Sequence, residues 1–142
     1  MQNIIEVEVF NKLFSSIAEE MGIILARSSF SSNIKERRDF SCAIFDAGGD
    51  LVSQAAHIPV HLGAMPMTLG TVLAEMNLQP GDMVITNDPY SGGSHLPDIT
   101  LIEPVFISSC DHSFTNPQFY VVNRAHHADV GGKNPGSMGL AS

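Results

Sequence analysis

The 142-residue sequence has no tryptophan, two cysteines and few cations: seven Lys and Arg stand against fifteen Asp and Glu, a formal net charge of −8. Two cysteines cannot build a disulfide framework, which removes the small disulfide-stapled classes. So acidic a chain, with no basic stripe beyond Lys35-Glu36-Arg37-Arg38, has no electrostatic footprint for nucleic acid. No apolar run nears the roughly 20 residues of a membrane-spanning helix. The opening Met1-Gln2-Asn3-Ile4-Ile5-Glu6 lacks the basic region and cleavage site of a signal peptide. A cytoplasmic setting away from membranes is therefore expected. Two catalytic signatures are missing as well. No G-x-x-x-x-G-K-[ST] loop occurs, so the chain is not expected to hold a nucleotide in that way, and no G-x-S-x-G elbow marks a serine nucleophile.

What is present suits an ordered core. Apolar residues make up 44% of the chain, with eight Phe and seven Met, which excludes the disordered class. The length allows one domain over 1–142. Charged residues are only 15%, against about 25% in ordinary soluble domains. Either part of the surface is covered by another chain or by the rest of a larger protein, or Ser, Thr, Asn and Gly supply its polarity.

The apolar spacing predicts a helix over 6–27. Phe10, Leu13, Phe14, Ile17, Met21, Ile24 and Leu25 recur at i, i+3, i+4, i+7 and form a stripe expected to face the core. The period then changes. Asp39-Phe40-Ser41-Cys42-Ala43-Ile44-Phe45 and Leu51-Val52-Ser53-Gln54-Ala55-Ala56 read as strands of a hairpin turned by Asp46-Ala47-Gly48-Gly49-Asp50. A second helix is expected over 65–77, with Pro66 in its first turn and Gln79-Pro80-Gly81-Asp82 as the stop. Strands are expected at 83–86, 99–102 and 119–123, with a polar surface loop over 108–117. The run 131–142 reads as a loop-like tail. Helix, hairpin, helix and then strands is an α+β order with a mixed or antiparallel sheet, part of a larger domain cut short.

The ligand-type side chains gather in the second half. Asn87-Asp88-Pro89-Tyr90-Ser91-Gly92-Gly93-Ser94-His95-Leu96-Pro97-Asp98 joins two expected strands. In a tight turn, His95 and Asp98, three apart, come close enough to grip one ion. In Arg124-Ala125-His126-His127-Ala128-Asp129 a continuing strand would send the two adjacent histidines to opposite faces, so at most one joins that pair. Two imidazoles and a carboxylate hold a catalytic Zn, Mn or Fe in many sites; hydrogen-bonded loop histidines and a turn-capping Asp98 are the alternative. His57 and His61 are separated by Pro59 and do not chelate one metal as an H-x-x-x-H helix would; one of them can still contact a substrate. Cys42 reads as a small core residue, and Cys110 has no base beside it.

Four segments carry a resemblance: Lys35-Glu36-Arg37-Arg38-Asp39-Phe40-Ser41-Cys42-Ala43, His57-Ile58-Pro59-Val60-His61-Leu62-Gly63, the run from Asn87 to Asp98, and Arg124-Ala125-His126-His127-Ala128-Asp129-Val130-Gly131-Gly132. In this order they resemble the N-terminal part of the hydantoinase B family. That family includes the B component of N-methylhydantoinase, the C-terminal half of 5-oxoprolinase and a large subunit of acetone-type carboxylases. The resemblance implies a B-type subunit in a hetero-oligomer. An A-type partner would use ATP to phosphorylate the substrate's carbonyl or enol oxygen, and the B-type chain would open the activated cyclic amide, such as a hydantoin or 5-oxoproline. The alternatives are carboxylation of an activated ketone, or a truncated chain without turnover. The resemblance also implies a divalent metal on His95, Asp98 and one of His126 or His127, His126 first. Asp88, His127 and Asp129 are implied as catalytic or orienting groups, and His57, His61 and Arg124 as substrate-binding ones.

Overall fold

The computed structural model describes residues 3–56, 61, 63–109, 112–113, 116–134 and 136. His57 and Cys110 lie outside the described residues, as does most of the expected tail. The chain runs α1 (Ile4–Ser28), α2 (Ser32–Lys35), β1 (Phe40–Asp46), β2 (Leu51–Ala56), α3 (Met65–Glu75), β3 (Val84–Thr86), β4 (Asp98–Val105), β5 (Ser108–Ser109), β6 (His112–Ser113) and β7 (Phe119–His126). Five strands form one sheet in the order β2-β1-β7-β4-β3, every pairing antiparallel. The α+β expectation holds, and the sheet is antiparallel throughout. Inside the stretch expected to be loop, β5 and β6 pair as a short separate ribbon.

Local chemistry explains the main boundaries. Asn3 caps α1 by accepting from the Ile5 amide at 3.2 Å. The β1–β2 turn is built by Asp46, whose carboxylate accepts from the Gly48 and Asp50 amides at 2.8 and 2.9 Å. Gly49 there takes φ +86°, which a β-carbon would disfavour. Beyond Glu75 the chain turns at Gln79–Asp82, where Asp82 Oδ2 accepts from the Gln79 amide at 2.8 Å.

The period of two along the strands splits the core between the two sheet faces. On one face, Ala43 and Phe45 of β1, Ile102 of β4, and Tyr120 and Val122 of β7 pack against Met65, Leu69 and Val72 of α3. On the other, Phe40, Cys42 and Ala125 pack with Ile34 of α2 and with Met21, Leu25 and Ala26 of α1, while Ile44 and Ala55 meet Ala18. Cys42 is fully buried among these groups and burial pushes its thiol up to about 12, the environment of an inert core cysteine.

The α1 stripe departs from expectation. The buried line of the helix is Ala18 and Gly22, flanked by Phe14, Met21 and Leu25. Phe10, Leu13, Ile17 and Ile24, expected to face the core, are 58%, 52%, 47% and 59% exposed. Small residues let the helix backbone lie close over the β1–β2 ribbon. Among the described residues, the elements that pack most on this helix are β2, β1 and α2, and they cover only this narrow line. No helix among the described residues is long and apolar enough to cross a membrane.

Candidate metal centre

Antiparallel register assembles this site. β4 and β7 pair so that Asp98 stands opposite His126 and Thr100 opposite Arg124. Directly opposed residues share a sheet face, so alternation places Asp98, Thr100, Arg124 and His126 on the face that α3 covers further along the same strands. β1 pairs with the other edge of β7, Phe40 opposite Ala125, which brings Asp39 beside His126; the Asp39 carbonyl accepts from the His126 amide at 2.9 Å.

Asp98 is the hub, with a side chain only 2% exposed. His126 Nδ1 lies 2.9 Å from its Oδ1 and His95 Nδ1 3.3 Å from its Oδ2, and the Ser94 hydroxyl donates to the same Oδ2. The His95 and His126 rings are tilted against each other, centroids 4.7 Å apart and planes inclined by 35°. Burial pushes the Asp98 carboxyl up. The Ser94 and His126 hydrogen bonds and the nearby His95 and His61 rings outweigh it, so its pKa lies below the ordinary carboxylate value. An anionic Asp98 at neutral pH follows.

His95, Asp98 and His126 each offer a donor atom, all within 4.8 Å of one another. The donor set is right for a borderline divalent ion: two neutral-capable imidazoles and one carboxylate. The side chain of His95 is half exposed and already turned toward Asp98 and His126, so the residues present fit such an ion.

Beneath this trio lies His61, 3% exposed. Its Nε2 sits 3.5 Å from Asp39 Oδ1 and 3.9 Å from Asp98 Oδ2, and its Nδ1 is buried without a hydrogen-bond partner. Burial lowers its pKa; Asp98 and Asp39 pull the other way without prevailing. Arg124, 1% exposed, donates to Thr100 Oγ1, Thr68 Oγ1 and the Gly92 carbonyl at 2.7, 2.7 and 3.1 Å. Burial places both residues under the site's surface. His127 donates its amide to the Pro97 carbonyl at 2.9 Å, and its ring, half-buried beside His126, has a lowered pKa through burial first and His126 second.

The carboxylates of Asp88 and Asp129 shape turns. Asp88 is exposed and accepts from the Tyr90 amide at 2.9 Å and the Ser91 hydroxyl at 2.7 Å; the Ser91 bond first, and then the Tyr90 bond, lower its pKa. Asp129 accepts from the Gly131 and Gly136 amides at 2.8 and 3.0 Å. Asp39, which in the sequence opens a strand and stands within the first family-like segment, is not among the expected site residues. Its proximity to His61 and His126 depends on the β1–β7 pairing, which no local pattern announces.

The Hydantoinase B/oxoprolinase family profile matches residues 3–142. Over 138 residues the chain is 51% identical to 5-oxoprolinase 1 of Arabidopsis thaliana, covering 96% of this chain and 10% of that protein. It is 35% identical over 142 residues to the B component of a putative D-/L-hydantoinase from a Pseudomonas strain, covering 96% of this chain and 23% of the other. Among solved structures, nucleotide-free acetone carboxylase superposes with a TM-score of 0.82 at 19% identity, covering 96% of this chain and 18% of that one. The ATP-dependent caprolactamase of Pseudomonas jessenii does so with a TM-score of 0.70 at 25% identity, covering 94% and 22%. The chain thus spans a tenth to a quarter of the length of these proteins. It belongs to the Hydantoinase B/oxoprolinase family.

Proposed function

We propose that this chain supplies the metal-binding part of a B-type subunit that opens a cyclic amide, such as a hydantoin or 5-oxoproline, after an A-type partner has used ATP to activate it. The observation that carries this reading is the His95, Asp98 and His126 trio in a chain of this family. The names of its relatives, a 5-oxoprolinase, the B component of a hydantoinase and an ATP-dependent caprolactamase, support the substrate class, the partner and the use of ATP.

A divalent Mn, Zn or Fe held by His95, Asp98 and His126 would polarise a substrate oxygen or lower the pKa of a bound water. The protein's own groups prepare that chemistry. Asp98 stays anionic through the bonds from Ser94 and His126, which also fix the orientation of the His126 ring. His61, with its lowered pKa, faces Asp98 and Asp39 from below without adding a fixed positive charge at neutral pH. His127, whose pKa is lowered by burial first and His126 second, is the general base that the family resemblance suggests, neutral and able to accept a proton at neutral pH. Asp88 and Asp129 act by holding the two loops that border the site.

The test supplies an A-type partner and follows ATP consumption together with ring opening of 5-oxoproline and hydantoins. Coupled turnover, lost with His95→Ala, is expected. ATP-dependent consumption of a ketone that requires bicarbonate would assign the carboxylase branch instead. Absence of any ATP-linked reaction with either substrate class would overturn the proposal.

A further inference from the structure

We propose that Arg124 is a positioning residue for the metal centre, a buried clasp that pins the 87–97 segment to α3 and β4 and thereby fixes His95. The proposal rests on the metal-centre reading given above for what the positioning serves; the clasp itself stands on geometry.

Arg124 sits two residues before His126 on the same strand face. Its three hydrogen bonds reach three separate pieces of the fold. Nε bonds Thr100 on β4, the residue directly opposite, while Nη2 bonds both Thr68 on α3 and the Gly92 carbonyl in the 87–97 segment. Gly92 lies three residues before His95. The C-terminal end of the segment meets the sheet through Ser94 and His95 on Asp98 and through the Pro97 carbonyl, which accepts from the His127 amide at 2.9 Å; its middle is reached by Arg124. Asp88, Tyr90, Ser91 and Gly93 bond one another, and Asn87 bonds the Leu96 carbonyl at 2.9 Å. These contacts shape the loop internally. The Arg124–Gly92 bond instead ties it to the sheet and to α3.

The close fit of the loop agrees. A β-carbon built at Gly92 would stand 2.5 Å from the Thr68 backbone nitrogen and 2.8 Å from Thr68 Oγ1, so the loop backbone rests directly on the first turn of α3. Thr68 is thus both the surface against which Gly92 packs and an acceptor of the arginine that holds it there.

The choice of arginine needs a reason beyond packing. The neighbouring positions on this face, Val122 and Tyr120, fill the same layer with apolar side chains. Burying a guanidinium at 1% exposure is costly, and among the described residues its ion pairs include no carboxylate within 4.0 Å. An apolar residue of similar volume often serves stability as well or better at such a site. What an apolar residue cannot supply is a rigid fork with several donors reaching three elements at once.

The test uses the intact protein with Mn²⁺ as the probe, and reads Mn²⁺ affinity, thermal midpoint and backbone amide exchange over 87–98. Thr68→Val removes one acceptor at nearly constant volume and Thr68→Ser keeps it; Arg124→Met removes the clasp. In Thr68→Val and Arg124→Met, amides of the 93–98 stretch are expected to exchange at least about 10-fold faster and Mn²⁺ to bind about 10-fold more weakly. The fold, read by circular dichroism, should be retained, and Thr68→Ser should behave as wild type. If Arg124→Met does not fold, Thr68→Val carries the test. Unchanged exchange in Thr68→Val would overturn the proposal. So would equal loss in Thr68→Ser, or exchange raised throughout the sheet and not in this loop. Failure of wild type to bind Mn²⁺ would count against the metal reading, and the exchange measurement would still decide the clasp.

Discussion

Asp98→Asn is expected to weaken divalent-metal binding at least about 100-fold, measured by Mn²⁺ titration of the intact protein. The aspartate is the one carboxylate in the trio, and every neighbour is arranged around its anionic form. Ser94 donates to Oδ2, His126 Nδ1 meets Oδ1 at 2.9 Å, and the His95 and His61 rings stand on the Oδ2 side at 3.3 and 3.9 Å. An asparagine keeps the volume but removes the charge, and turns an NH₂ group toward a donor already in place. The mismatch in a site only 2% exposed should also lower stability by about 1–3 kcal/mol, read from chemical denaturation of the metal-free protein. Wild-type affinity in Asp98→Asn would remove Asp98 from the ligand set.

Gly92→Val should have the largest effect on folding. Gly92 has φ +80°, a region that a β-branched residue strongly disfavours. The space for a side chain is occupied by the backbone of α3: the Thr68 nitrogen at 2.5 Å and the Met67 carbonyl carbon at 2.9 Å from the β-carbon position. Helix backbone cannot move aside as a flexible side chain would. Strain and displacement together are expected to cost about 2–4 kcal/mol and to separate His95 from Asp98. Gly81→Val is the matched control. Gly81 carries φ +90° but a β-carbon there meets nothing within 4 Å, so the variant should cost only the conformational part, about 1–2 kcal/mol. Urea denaturation of the two variants separates strain from collision; equal losses would mean that the 87–97 loop does not rest on α3 as described.

The legible features of this sequence were those written in neighbouring residues. The Asp46–Asp50 turn, the helix opening at Met65-Pro66 and the closeness of His95 to Asp98 across one turn all follow from short-range rules. The Asp98 amide donates to the His95 carbonyl at 3.0 Å, the turn bond such spacing allows. Which of His126 and His127 approaches that pair depends on where β7 stops and how it registers against β4, a pairing across 28 residues. Asp39 was harder still, because its place requires β1 to lie along the opposite edge of β7. Burial was the other obscured quantity. Arg124 and His61 look like exposed ligands in a polar motif, and only the packed layers show them beneath the surface. The α1 stripe is covered only in part for a related reason: periodicity gives a helix an apolar face, but the elements packed on it decide that Phe14, Met21 and Leu25 are covered while Phe10, Leu13, Ile17 and Ile24 stay exposed.

Elemental analysis of the purified protein, after exposure to Mn²⁺, Zn²⁺ and Fe²⁺ and removal of loosely bound ions, tests the central claim most directly. About one divalent ion per chain in the wild type, lost in both His95→Ala and His126→Ala while the fold is kept, is the predicted result. A folded wild type without an ion, or an ion retained in both variants, would contradict the metal centre.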